Sequence, residues 1–244
     1  CIVVPFYNAS NFLYKCIESI KRQEYQNFKC ILVDDMSTDN SHEIVASLID
    51  GDARFRLIKN TDKAYALKNI VEAVKVSSEL PNAKDEDVII LLDGDDWFAS
   101  SQTLTHLNSY YSDNSCWLTY GSYILFPMGI PGPEPSEYPE DVINNNTYRK
   151  DSWRASHLRT FRRHLWDRLD PEDLKDDNGE FYKMTYDQAI MLPLLEMAGD
   201  RCKYIPEILH VYNKQNPLNV DKIKAAEQAQ LAQVIRSKKP YERV

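Results

Sequence analysis

No apolar run in this 244-residue chain approaches the ~20 residues that cross a bilayer, so no transmembrane segment is expected. Basic residues are too few for a nucleic-acid partner. The 29 Lys and Arg stand against 37 Asp and Glu, a net charge of -8, whereas phosphate neutralisation needs the opposite excess. Only seven glycines are present, and none forms a dinucleotide-binding Gly-x-Gly-x-x-Gly or a P-loop. There is no internal repeat and no low-complexity segment. The five cysteines, Cys1, Cys16, Cys30, Cys116 and Cys202, are odd in number and scattered, without the close pairing of a zinc site. Free thiols in a reducing, cytoplasmic compartment are expected, with peripheral association to a membrane left open. Two N-glycosylation triplets, starting at Asn8 and Asn145, are of a kind common by chance. The chain starts at Cys1, inside what reads as a strand. A cut from a longer protein is expected, and the absence of a leader excludes nothing.

What is present is a soluble globular composition, 43% hydrophobic and 27% charged, on a chain long enough to bury a full core. The first hundred residues alternate strand and helix signals. Strands are read at Ile2 to Pro5, Phe28 to Val33, Arg54 to Ile58 and Val88 to Leu92. Between them, Phe12, Leu13, Cys16, Ile17 and Ile20 recur at helical spacing behind a cap at Asn8 or Ser10. Ser41 opens a second helix, with Asp39 as a cap, and Ala64 to Val76 forms a third. Such alternation predicts an α/β fold with a mostly parallel central sheet flanked by helices.

Beyond residue 100 the texture changes. Trp117 to Phe126 reads as an aromatic strand, followed by a proline loop from Pro127 to Pro139 that can be neither helix nor central strand. Trp153 to Leu169 is basic and aromatic, and is expected to be helical in part. A helix from Tyr186 to Ala198 stops at Gly199; Lys203 to Tyr212 is a strand, and Asp221 to Arg236 a closing amphipathic helix. The chain thus divides into a binding half at 1–100, a second half at 101–215 and a closing helix at 216–244.

The chemistry gathers where strands stop. Phe6, Tyr7 and Asn8 follow the first strand, Asp34 and Asp35 close the second, and Asp93, Gly94, Asp95 and Asp96 close the fourth. Right-handed crossovers bring such ends to one edge of the sheet, where ligands bind. Clustered carboxylates at the rim of a core repel one another, and a divalent cation relieves that repulsion. The pattern predicts a metal held for a phosphate-bearing substrate. An EF-hand does not fit, because the loop lacks its glycine and Leu104 stands where the bidentate Glu belongs.

The ordered set Val4-Pro5-Phe6-Tyr7-Asn8, Leu32-Val33-Asp34-Asp35-Met36-Ser37-Thr38-Asp39 and Leu92-Asp93-Gly94-Asp95-Asp96 resembles the family 2 glycosyltransferases of GT-A fold. A looser match continues through Thr185-Tyr186-Asp187-Gln188 and Ile205 to Tyr212. The resemblance implies inverting transfer of a sugar from a nucleotide diphosphate donor, most often uridine diphosphate, to an acceptor hydroxyl. The acceptor would be a glycan, a lipid-linked sugar or a protein, bound by a smaller subdomain. It further implies that Pro5, Tyr7 and Asn8 line the nucleotide pocket, with Asp35 accepting a bond from the base and Asp34 beside it. Asp93, Gly94 and Asp95 match the Asp-x-Asp motif that handles donor and cation. Mn²⁺ or Mg²⁺ would be held by Asp93, Asp95 and Asp96, with a late histidine, His210, as a further ligand.

Relatives carry a Gly-rich turn and an Arg where this chain has Lys63 to Asn69, leaving Lys68 to meet the diphosphate as a point charge. Asp187 matches the family's base, with Tyr186 in place of the usual Glu. A base is required because a sugar hydroxyl is too weakly acidic to attack unaided. Helix capping would place the same residue type there. Trp97, Trp153, His157 and Arg159 are assigned to the acceptor side, where aromatic faces suit sugar rings. Two rival readings remain: a binding module that has lost turnover, and a nucleotidyltransferase, whose phosphate loop is absent at Phe6 to Ser10. A glycosidase also pairs carboxylates but needs neither metal nor nucleotide pocket.

Overall fold

Ile2 to Phe6 offers solvent nothing polar, and in the computed structural model, which describes residues 1–218 and 224–244, all five residues are buried. This strand, β1 (Ile2–Phe6), pairs in parallel with β2 (Cys30–Asp34) on one side and β4 (Val88–Leu91) on the other. β3 (Phe55–Lys59) extends the sheet beyond β2. Alternate residues serve two cores. Val3, Ile31 and Val33 pack on Leu67, Ile70 and Val74 of α3 (Tyr65–Ser78). Ile2, Val4 and Leu32 pack on Leu13, Ile17 and Ile20 of α1 (Leu13–Lys21), with Val45 of α2 (Ser41–Ile49) and Leu104 of α4 (Thr103–Tyr111).

The described strands form one nine-stranded sheet in the order β3-β2-β1-β4-β8-β6-β9-β5, with β7 paired to β6 off this path. The remaining strands are β5 (Trp97–Phe98), β6 (Leu118–Phe126), β7 (Ile130–Pro131), β8 (Arg159–Arg162) and β9 (Cys202–Asn213). Because the chain winds outward from β1 to β3 and returns to β4 on the other flank, the order reverses between β1 and β4. An open α/β sheet leaves a crevice at such a reversal, outside the carboxyl ends of its strands. β8 runs antiparallel to both β4 and β6, whereas β9 is parallel to β6 and antiparallel to β5. The two halves therefore share one sheet.

Several local expectations are revised. Neither Asn8 nor Ser10 caps α1; its N-cap is Phe12, without a side-chain bond. Asp39 does serve α2, accepting the Ser41 amide at 3.0 Å. The basic stretch from Trp153 is helical in part, as expected, in α6 (Arg163–Trp166), but Arg159–Arg162 is an internal strand that the sequence reading did not include. Arg162 is buried there because loops and the end of α4 supply its partners. Arg162 donates to the carbonyls of Cys116 (2.8 Å), Tyr111 (2.9 Å) and Glu86 (3.1 Å). After the proline loop, the short α5 (Glu140–Asn144) leads on to α7 (Tyr186–Ala198), which ends at Gly199 with φ 58°. The closing helix is α8 (Ala225–Ser237); the expected start at Asp221 lies outside the described residues. All five cysteines are free thiols, Cys16, Cys30 and Cys116 buried. No helix among the described residues is long and apolar enough to cross a membrane.

Candidate active site

A cleft of ≈ 300 Å³ opens at the strand reversal. Its walls carry Pro5 in β1 and Tyr7 beyond it, Asp35 beyond β2, Asp93, Gly94 and Asp95 beyond β4, His157 and Arg159 at β8, and Asp187 at the start of α7. Gly94 is required by packing: a Cβ there would meet Phe6 Cβ at 2.5 Å. Its amide bonds Pro5 O at 3.1 Å, which carries the acidic turn directly across β1.

Asp35 serves the start of α3. Its carboxylate accepts the amides of Ala64 (2.7 Å) and Tyr65 (3.1 Å) and pairs with Lys63 Nζ at 2.9 Å. Burial alone would raise this carboxyl, but the neighbouring Asn69 side chain, the Ala64 amide and Lys63 hold it below the usual range. The Lys63 ammonium also rests on the Tyr7 ring, 2.8 Å from its centroid. Lys63 thus stands against Asp35 and Tyr7, and neither it nor Lys68 is part of the cleft lining.

At the acidic turn, Asp93 Oδ1 accepts the Tyr186 hydroxyl at 2.5 Å, and Arg159 Nη2 lies 3.7 Å from Oδ2. Asp95 accepts the Asn216 amide at 2.7 Å. Burial, then repulsion from Asp96 and Asp93, pushes the Asp95 carboxyl up to about 8. Asp96 is buried behind it and pairs with His210 Nε2 at 2.9 Å and the Asn213 amide at 2.8 Å. His210 stacks on His157, centroids 4.5 Å apart, and its buried Nδ1 has no hydrogen-bond partner. Burial, then the Arg159 charge, lowers the His210 imidazole to about 3, so it is neutral and able to ligate. One donor atom each from Asp96, His157 and His210 lie within 4.8 Å of one another. A carboxylate oxygen with two imidazole nitrogens suits a transition dication such as Mn²⁺ better than Mg²⁺, which prefers oxygen ligands, and a dication would relieve the repulsion that raises Asp95.

Asp187 projects from the first turn of α7 with its side chain about a quarter exposed, 27%. Arg159, 3% exposed, lies between it and Asp93: Nη1 is 4.0 Å from Asp187 Oδ2. Burial raises the Asp187 carboxyl above its ordinary range, against the pull of Arg159 and the Gln188 amide.

Other sequence-assigned residues stand apart from the cleft lining. Asn8, with φ 47°, accepts the Thr38 amide at 2.8 Å and so ties the β1 and β2 loops together. Asp34 is buried on the Ser37 amide (2.9 Å) and His42 Nδ1 (3.1 Å). Trp97 packs edge-on to Phe126 under Lys15, and Trp153 packs against the core. Conversely, Lys183, Tyr212, Asn216 and Gln228 line the cleft without having been singled out. Apart from Tyr212, which ends the looser Ile205 to Tyr212 match, they follow no motif spacing, and only the fold brings them there.

A family model described as Glycosyl transferase family 2 matches residues 1–169. An uncharacterized glycosyltransferase of Haemophilus influenzae is 36% identical over 122 residues, 50% of this chain and 46% of that one. Glycosyltransferase GlyG of Streptococcus pneumoniae is 40% identical over 90 residues, 36% of this chain and 30% of its own length. The chain thus spans less than half of either relative. Staphylococcus aureus TarS 1–349, solved with UDP-GlcNAc, superposes with a TM-score of 0.69 at 14% identity, covering 96% of this chain and 64% of that one. Mannosyltransferase PcManGT from Pyrobaculum calidifontis, solved with GDP-Man and Mn²⁺, gives 0.65 at 17%, covering 98% and 65%. These likenesses show the GT-A fold.

Proposed function

The chain belongs to glycosyl transferase family 2, and from that premise we propose that it transfers a sugar from a nucleotide diphosphate donor to an acceptor hydroxyl, with inversion and dependence on a divalent cation. The observation that carries this reading is the convergence of Asp35, Asp93, Asp95 and Asp187 on one cleft from three separate segments. Pro5, Tyr7 and Asp35 form the base end. Tyr7 offers an aromatic face, and Asp35, kept ionised by its neighbours, offers acceptor oxygens. Asp93 and Asp95 would hold the cation on the cleft side, backed by Asp96 and His210. When bound, the ion neutralises charge on the departing diphosphate. Asp187 takes the proton from the acceptor hydroxyl, whose oxygen attacks C1 from the face opposite the leaving group. Arg159, within 4.0 Å of both Asp187 and Asp93, holds the two carboxylates in one frame. His157 and Arg159 form the acceptor-side wall.

UDP-linked sugars are proposed as donors, since a neighbour of this fold holds UDP-GlcNAc. Another holds GDP-Man with Mn²⁺, so a donor panel must include both bases. The acceptor is proposed to be a glycan, lipid-linked sugar or protein hydroxyl. The deciding experiment incubates the chain with that panel and Mn²⁺ and measures release of nucleoside diphosphate. Wild type should release it, and a chelator should abolish the release. Asp187→Asn should bind donor within about threefold of wild type yet lose roughly 100-fold or more in rate, the scale of a lost general base. Donor binding without release by wild type would point instead to a binding module.

A further inference from the structure

The helix that carries Asp187 has a poorly secured start. Thr185 stands at its N-cap position with φ 56° and makes no side-chain bond to the first turn. A hydroxyl there ordinarily satisfies one of the open amides, and a left-handed backbone is unfavourable for a β-branched residue. Two contacts from α8 hold this turn instead. Thr185 Oγ1 donates to Gln228 O at 3.3 Å, and Arg236 Nε donates to Gln188 Oε1 at 2.8 Å. Arg236 is itself anchored, because Nη1 donates to Arg149 O (3.0 Å) and Asp151 O (2.7 Å). Gln188 directly follows Asp187 in this turn, and its backbone amide pulls the Asp187 carboxyl down.

We propose that Arg236 is a positioning residue for Asp187, acting through Gln188 to fix the first turn of α7, so that α8 is a working part of the active site. The proposal rests on the reading of Asp187 as the base. It fits the placement of Gln228, from the same helix, in the cleft wall. It also places the device outside residues 1–169, the part matched by the family model. Catalysis is sensitive to such support, since a displacement of about 1 Å can cost on the order of 100-fold in rate.

The test uses the whole chain with Arg236→Met, Gln188→Met, the double variant and Arg236→Lys. Rates come from the donor panel, and affinity from titration with UDP and Mn²⁺. Each single Met variant should keep donor affinity within about twofold and lose on the order of 10- to 100-fold in kcat. The double variant should lose no more than the worse single one, because both act through one contact. Arg236→Lys, which keeps a charged donor, should recover part of the rate. The proposal is overturned if the variants melt earlier yet turn over at the wild-type kcat well below their transitions, or if the two single losses multiply. Hydrogen exchange supplies a readout that does not depend on turnover. The Ala189 amide, bonded to Thr185 O at 3.3 Å, should exchange faster in Arg236→Met, while amides in the middle of α7 keep their protection. Unchanged exchange at Ala189 sinks the proposal. Failure of the wild-type chain to release any nucleoside diphosphate sinks the transferase reading alone.

Discussion

At Asp187, burial and a neighbouring cation pull in opposite directions: burial raises the carboxyl, and Arg159, 4.0 Å away, lowers it. The proposed base works only when ionised, so activity should fall as pH drops through its folded pKa. That acid limb should lie above the ordinary aspartate value of about 3.9. Arg159→Met removes the opposing cation and should move the limb further up, toward neutrality. Arg159 also faces Asp93, so the variant should bind donor less well, and the position of the limb is the decisive reading rather than its height. A kcat profile from pH 4.5 to 8 with the limb unmoved, or moved down, would refute this account. Residue identity was legible for most of this site, because Pro5, Tyr7, Asp35, Asp93, Asp95 and Asp187 carry family motifs and all line the cleft. Lys63 was harder to read. Its place against Asp35 and Tyr7 depends on where α3 begins, and the Asp35 carboxylate sets that start by holding the Ala64 and Tyr65 amides.

Strands and helices of the first half follow directly from apolar periodicity, since each packs a regular face on one of the two cores. β8 did not follow, and the reason is physical. Arg159, Thr160 and Arg162 lie in a buried strand, where Thr160 is satisfied by β6, Arg162 by loop carbonyls and Arg159 faces Asp93 and Asp187, so the basic sequence carries no apolar strand pattern. Periodicity reports burial only when burial selects apolar side chains. The join between β1 and the acidic turn tests how tightly elements determine the site. Gly94→Ala places a methyl 2.5 Å from Phe6 Cβ, 3.2 Å from Pro5 O and 3.3 Å from Phe6 Cα, atoms fixed by the β1 backbone. The strand ends must separate, at a cost of about 1–3 kcal/mol by the usual scale of overpacking. Because Asp93 and Asp95 flank the displaced residue, Mn²⁺-dependent stabilisation by UDP should be lost as well. A Gly94→Ala chain with wild-type thermal midpoint and wild-type response to Mn²⁺ and UDP would show that the join is loose.

Across the whole molecule, the last twenty residues are fastened around α7 by a buried ion pair. Arg149, 6% exposed at its side chain, reaches Glu196, 0% exposed, at 2.6 Å and donates from Nη1 to Ile235 O at 2.7 Å. Glu196 in turn accepts the Tyr241 amide at 3.0 Å. Breaking this pair from its two ends should have unequal effects. Glu196→Ala leaves a buried guanidinium that cannot shed its charge, which should cost about 3–5 kcal/mol. Arg149→Met leaves a carboxyl that can escape by taking a proton. Burial already raises the Glu196 carboxyl, opposed chiefly by Arg149, so removing the arginine raises it further. A carboxyl with a folded pKa above its unfolded value binds more protons when native. Its contribution is therefore kept at low pH and lost as pH rises from the unfolded value through the folded one. Urea unfolding should then show Arg149→Met close to wild type at pH 5 and clearly weaker at pH 8, with Glu196→Ala weak at both. If Arg149→Met lost the same stability at both pH values, Glu196 would not be escaping by protonation. The ion pair would then not be what fastens the C-terminal segment to the helix that carries Asp187.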